Sequence, residues 1–276
     1  MPCSTIGIPC EISQTNELKK GKKMSQELLD LTKKVDVVLD LRKIPETVKA
    51  QVCLALDGSG SMTSLYNNGT VQKTVNRISA VAVKFDDNSE LDVMVFSNNV
   101  NEAKSATPEM FGAYVQTELL KKNLVQFGGT EFAPMINQVV ENYFSPTIMN
   151  SIVESSGSIL RALKGIFSSS KPEPAKTVNT SSKSTSGYPI FCIIITDGDN
   201  SDKTETTKLL EHMQDKDIYW QFVGIGNDTR FDYVRNLGDV LPNVGFFHIP
   251  NLEEMKDMEL YKNLLNEEFS EWIKKF

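Results

Sequence analysis

Cysteine is scarce in this chain, four among 276 residues. So few, so widely spread, exclude the disulfide framework of a small secreted domain. Cys53 and Cys192 fall inside apolar runs, which predicts reduced, buried thiols and a cytosolic address. Cys3 and Cys10 lack any CxxC pairing and are read as part of a mobile tail rather than as metal ligands. Histidine is scarcer still: His212 and His248 are the only two, neither beside a motif, and His248 is expected as a strand residue with no chemical task. Positive charge is in deficit, with 29 Lys and Arg against 36 Asp and Glu and a net charge of −7. That balance argues against a nucleic-acid surface. No apolar run approaches the roughly 20 residues that a membrane-crossing helix needs. The opening residues Met1 to Lys23 lack the charged-then-apolar pattern of a signal peptide. A soluble, cytoplasmic protein is the expectation, with no membrane span and no nucleic-acid partner.

What the chain does have is alternation. With 40% apolar and 24% charged residues it can bury one large core. Residues 1–24, with the cluster Lys19-Lys20-Gly21-Lys22-Lys23, read as a flexible extension. Ser25 then caps a helix whose buried face carries Leu28, Leu29, Leu31 and Val35. Val37 to Leu41 suits either a continuation of that helix or a short strand. Strands are expected at Val52–Leu56, Leu91–Phe96, Phe191–Ile195, Ile218–Val223 and Gly245–Ile249. Between them lie helical stripes: Val71, Val75, Ile78, Ala82 and Phe85; Phe132, Met135, Ile136, Val139, Val140, Tyr143 and Phe144; Leu209, Leu210 and Met213. Residues 97–124 suggest an edge strand and a helix around Phe111, Val115 and Leu119, and a short helix is expected near Phe231 to Leu237. One amphipathic helix from Met258 to Phe276 should close the chain, with Tyr261, Leu264, Leu265, Phe269, Trp272 and Phe276 inward. Asp86-Asp87 reads as a turn. Residues 145–189 interrupt the alternation with a weak helical stripe and then a Ser/Thr/Lys/Pro-rich stretch that cannot bury a core.

The alternation implies an α/β fold: a doubly wound, mostly parallel sheet with helices on both faces and its site at the carboxyl edge of the strands. At that edge the first core strand runs into Asp57-Gly58-Ser59-Gly60-Ser61. Two glycines free the turn, and one carboxylate and two hydroxyls at every second position can face a common cup. Oxygen ligands of this kind suit a hard divalent cation such as magnesium, with manganese or calcium as other candidates. Taken alone, the turn serves equally well as a strand-to-helix connection in which Asp57 caps backbone amides. Two further loops carry polar residues at the start of a helix and at the end of a strand. Gly128-Gly129-Thr130 opens a helix, where the Thr130 hydroxyl can cap and ligate at once, having two lone pairs. The run Phe191–Ile195 leads into Thr196-Asp197-Gly198.

Asp-x-Ser-x-Ser, a later Thr and a strand-end Asp resemble the metal-ion-dependent adhesion site (MIDAS) of von Willebrand factor A (vWA) domains. The segments Leu65–Gln72, Lys84–Asp87, Tyr219–Gly226 and Leu260–Leu265 resemble the vWA domains of bacterial tellurium-resistance proteins, which share features with the copine A domain. The likeness covers about residues 25–276 apart from the 145–189 insertion. It implies a vWA fold in which Ser59, Ser61 and Thr130 supply hydroxyls to the ion and Asp57 and Asp197 act largely through water. An inner shell of neutral oxygens leaves cation charge open to a partner's Asp or Glu. The function implied is a non-enzymatic, metal-dependent protein-binding module in a tellurite or stress-resistance setting. The alternative is a metal-dependent phosphatase of the haloacid-dehalogenase type, with Asp57 as nucleophile, Ser97 on the second loop and Asp197, Asp199 and Asp202 as the acidic loop. Ser59 stands where such enzymes place an acid/base Asp, and no Lys is clearly placed for a phosphoryl group.

Overall fold

A computed structural model describes residues 24–146, 148 and 183–276. The proposed N-terminal extension, Cys3, Cys10, the weak helical stripe after Ile148 and most of the Ser/Thr/Lys-rich stretch lie outside these residues.

The chain enters as α1 (Gln26–Arg42), in which the Ser25 hydroxyl accepts from the Leu28 amide. The stretch Val37–Leu41 continues this helix, which ends at Lys43 in the left-handed region (φ 55°). There the Ile44 amide reaches back to the Leu39 carbonyl at 3.0 Å, a closure that satisfies the last helical carbonyls. The buried stripe is Leu28, Leu31, Val35, Val38 and Leu39; Leu29, expected inside, is 39% exposed because it lies one position off that stripe.

Among the described residues six strands follow: β1 (Gln51–Asp57), β2 (Asp92–Phe96), β3 (Val100–Glu102), β4 (Ile190–Thr196), β5 (Ile218–Ile225) and β6 (Val244–Ile249). They form one sheet in the order β3-β2-β1-β4-β5-β6, parallel except for the edge strand β3. The connecting helices are α2 (Thr63–Asn67), α3 (Thr70–Phe85), a π-helical turn at Val115–Leu120, α4 (Ala133–Tyr143), α5 (Lys203–His212) and α6 (Asp232–Val240). The chain closes with α7 (Asp257–Leu264) and α8 (Glu267–Ile273). The single closing helix expected from the periodicity is thus two. Asn266 interrupts it, its side chain accepting from the Phe269 amide as the cap of α8, and Phe276 beyond the break is 49% exposed.

β1 and β4 are apolar on both faces because helices cover both. Val52, Leu54, Leu56, Phe191, Ile193 and Ile195 join α1, α3, α7 and α8 in one core layer. Cys53, Ala55, Cys192 and Ile194 join α4, α5 and α6 in the other. Both cysteines are buried free thiols. The Asp86 carboxylate accepts from the Val52 and Asn88 amides, so that aspartate closes the turn after α3. Strand order reverses between β1 and β4, and the loops leaving their carboxyl ends diverge to open a crevice, the usual ligand position in such sheets. Asp57 and Asp197 stand at those two ends.

Candidate functional site

Asp57, the last residue of β1, lies at the bottom of the crevice with no solvent exposure. One carboxylate oxygen accepts from the Ser59 amide at 2.7 Å and the other from the Thr196 hydroxyl at 2.6 Å. The Tyr66 hydroxyl donates to the Asp57 carbonyl at 3.1 Å. Gly58 turns the chain where the Val95 side chain leaves no room: an added Cβ would sit 2.6 Å from Val95 Cγ1. Burial pushes the Asp57 carboxyl from 3.8 up to about 6, against the two hydrogen bonds that favour the anion, and the nearby Asp197 charge adds to the rise.

Above Asp57 the site opens in steps. Ser59 is buried and Ser61 exposed, and their hydroxyl oxygens stand 3.2 Å apart. The Ser61 hydroxyl donates to Asp197 Oδ1 at 2.7 Å across the crevice. Asp57, Ser59, Ser61 and Asp197 are therefore joined through one hydrogen-bonded chain. Thr130 is half-buried on the adjoining loop, and its hydroxyl makes no hydrogen bond among the described residues. That loop is fixed on both sides: the Gly60 amide donates to Gly128 O at 3.0 Å, and the Ser201 amide donates to Thr130 O at 3.0 Å. Gly128 and Gly129 lie against Asn98, whose side-chain oxygen accepts from the Gly129 amide at 2.7 Å. A Cβ on either glycine would fall within 2.9 Å of that side chain.

Sequence reasoning assigned no role to Thr196, Tyr66 or Asn98. The first two hold Asp57 and the third shapes the Gly-Gly turn. The signal for Thr196 was present, a hydroxyl at the last position of a strand beside Asp57, but its partner is only visible once β1 and β4 are paired. The other acidic residues of the third loop have different tasks. Asp202 accepts from the Phe132 and Ala133 amides at 3.0 and 2.6 Å and so caps α4, and Asp199 pairs with Lys203.

Among the described residues no cluster of three or more His, Cys, Asp or Glu is arranged to hold a metal. A cation at this crevice would be met by two carboxylates and by hydroxyls. The donor set is all oxygen, with the serine hydroxyls keeping lone pairs beyond their mutual contact, and it fits a hard divalent ion.

A family model described as the vWA found in the TerF C terminus matches residues 49–276. The uncharacterized protein YcbR of Bacillus subtilis is 36% identical over 252 residues, which cover 89% of this chain and 86% of that protein. Proximal thread matrix protein 1 of the mussel byssus is similar in fold, with a TM-score of 0.49 at 17% identity over 79% of this chain and 47% of that one. A structure of the same mussel protein with a zinc-occupied MIDAS motif gives a TM-score of 0.45 at 18% identity, again over 79% of this chain and 47% of that one. The family match over most of the chain, together with the parallel sheet in its 3-2-1-4-5-6 order, establishes that this chain belongs to the vWA family of the TerF C-terminal type.

Proposed function

We propose that this protein is a non-enzymatic, metal-ion-dependent protein-binding module, with residues 25–276 as one vWA domain. Ser59, Ser61 and Thr130 would hold a divalent cation, magnesium in the first instance, while Asp57 and Asp197 act largely through water. A carboxylate from a partner protein would complete the coordination. The observation that carries this reading is the state of the two carboxylates and two hydroxyls. Asp57 has both oxygens occupied inside the protein, so its charge is felt at the crevice without direct access. The Ser61 hydroxyl, by contrast, stands exposed at the mouth on Asp197. Neutral oxygens nearest the ion leave much of its charge for an incoming anion.

The same geometry weighs against the phosphatase. A nucleophilic aspartate must present an oxygen to the substrate. Asp57 is fully buried with both oxygens hydrogen-bonded, Asp202 is engaged as a helix cap, and Lys203 is paired with Asp199. A tellurite or stress-resistance role is part of the proposal and rests on the TerF-type family alone.

Calorimetric titration of the intact protein with magnesium, and of Ser61→Ala, tests the reading, with p-nitrophenyl phosphate turnover measured in parallel. Saturable binding in the wild type, weakened at least about tenfold in the variant, with no turnover in either, is expected. Metal-dependent turnover abolished by Asp57→Ala would replace the binding module with the enzyme.

A further inference from the structure

The mouth of the crevice is not uniform. On one side Phe127 stands immediately before Gly128, which bridges Ser59 in a strand-like contact. Its backbone occupies the left-handed region at φ 51°, a conformation that bulky side chains seldom adopt and that persists only where the surroundings dictate it. Here they do: the following residues are fixed by the Gly60-to-Gly128 and Gly129-to-Asn98 hydrogen bonds. The turn thrusts the Phe127 ring outward. It meets Tyr66 edge-on at 6.0 Å between centroids and leaves the residue 38% exposed. Tyr66 is the residue whose hydroxyl grips the Asp57 carbonyl, so the aromatic pair is seated directly on the β1 turn. On the opposite side the rim is polar and cationic. Exposed Arg230 directs its guanidinium at the Asp197 carbonyl, 3.5 Å away.

We infer that the carboxylate received at this site belongs to a protein segment that carries a large apolar side chain beside its Asp or Glu, the apolar group packing on Phe127. The inference rests on the proposed function and deepens it by naming the partner's chemistry. Backbone-bridged residues lie about 5 Å apart, so Phe127 is within one or two side-chain lengths of the Ser59 and Ser61 hydroxyls. A carboxylate at the hydroxyls and an apolar group on Phe127 can thus come from neighbouring positions of one segment. Charge supports the same occupant. The rim holds Asp197 and Glu131 besides the buried Asp57, so an acidic segment is repelled without the cation and admitted with it. Arg230, across from Phe127, gives the segment a direction, apolar toward one side and polar or acidic toward the other.

The test is selection of phage-displayed random short peptides on the immobilised full chain in magnesium, with elution by EDTA. Wild-type protein should enrich Asp or Glu, with Phe, Tyr, Trp, Leu or Met within two positions favoured roughly three- to tenfold, the gain from one contact on an aromatic face. Phe127→Ala should keep the acidic enrichment and lose the apolar one, and Phe127→Leu should restore part of it. Acidic enrichment with no apolar neighbour, or an apolar preference unchanged in Phe127→Ala, overturns the inference while leaving the proposed function standing. Absence of metal binding by wild-type protein in calorimetry, or peptides retained equally in EDTA, overturns both.

Discussion

Burial of Asp57 makes the metal-free protein less stable at neutral pH than its own hydrogen bonds suggest, and Asp57→Asn isolates the effect. The carboxyl rises from 3.8 to about 6, a difference of about 2 in pKa and thus roughly 3 kcal/mol between protonated and ionised forms. A folded-state pKa raised above the unfolded value means that the folded protein binds more protons between pH 4 and 6. Stability therefore falls as pH climbs through that window and levels off above it. The amide of the variant carries no charge and fits the same bonds: its oxygen accepts from the Ser59 amide, and its nitrogen donates to Thr196. That hydroxyl can turn to Gly198 O, already 3.1 Å away. Urea unfolding in EDTA should give D57N and wild type equal m-values. Their stability difference should be near its minimum at pH 4 and grow in favour of the variant by up to about 3 kcal/mol by pH 7. Asp86, also raised to about 6 by burial, titrates in both proteins and cancels in the difference. A difference that stays flat with pH, or that moves against the variant as pH rises, refutes the reasoning.

In the proposed site the cation requires ionised Asp57, so magnesium affinity in calorimetry should fall as pH drops through about 6, with the protons released per ion rising toward one below that pH. Gly58→Ala should destabilise by roughly 1–3 kcal/mol, since its Cβ would sit 2.6 Å from Val95 Cγ1; adding Val95→Ala should make the pair less destabilised than the sum of the two single changes, as read by denaturant unfolding. Asn266→Ala removes the cap that separates α7 from α8 and should cost about 1 kcal/mol in the same assay, without affecting metal affinity.

The sheet was legible because its central strands are buried on both faces and read as unbroken apolar runs, bounded by turns with glycine and aspartate. The helical stripes of α3 and α4 were legible for the complementary reason, one apolar face each. Val37–Leu41 could not be settled by pattern, since β-branched apolar residues suit both states, and only the left-handed cap at Lys43 shows where α1 ends. The break at Asn266 lay in plain view as Asn followed by two glutamates, a helix-start signature, yet the apolar period carried across it. At the proposed site, Asp57, Ser59 and Ser61 were singled out by their spacing and Asp197 by the likeness to the adhesion-site motif; the fold joins these four through hydrogen bonds. Their supports were not legible: Thr196 and Asn98 act on partners distant in the chain, and Tyr66, although near Asp57 in sequence, reaches back to its carbonyl only once the turn and helix between them have formed. Asp202 shows the converse limit: grouped with Asp197 and Asp199 it reads in sequence as part of an acidic loop, and in the fold it caps a neighbouring helix.

Binding of one divalent cation by the Ser59, Ser61 and Thr130 hydroxyls, with Asp57 and Asp197 acting through water, is the core of the proposed function. Manganese titration followed by electron paramagnetic resonance at pH 7.5, on wild type and on Ser61→Ala, tests it most directly. One saturable manganese site in wild type, displaced by magnesium and weakened at least about tenfold in the variant, is the expected result. Free manganese signal throughout the wild-type titration, or equal binding by the two proteins, would contradict it.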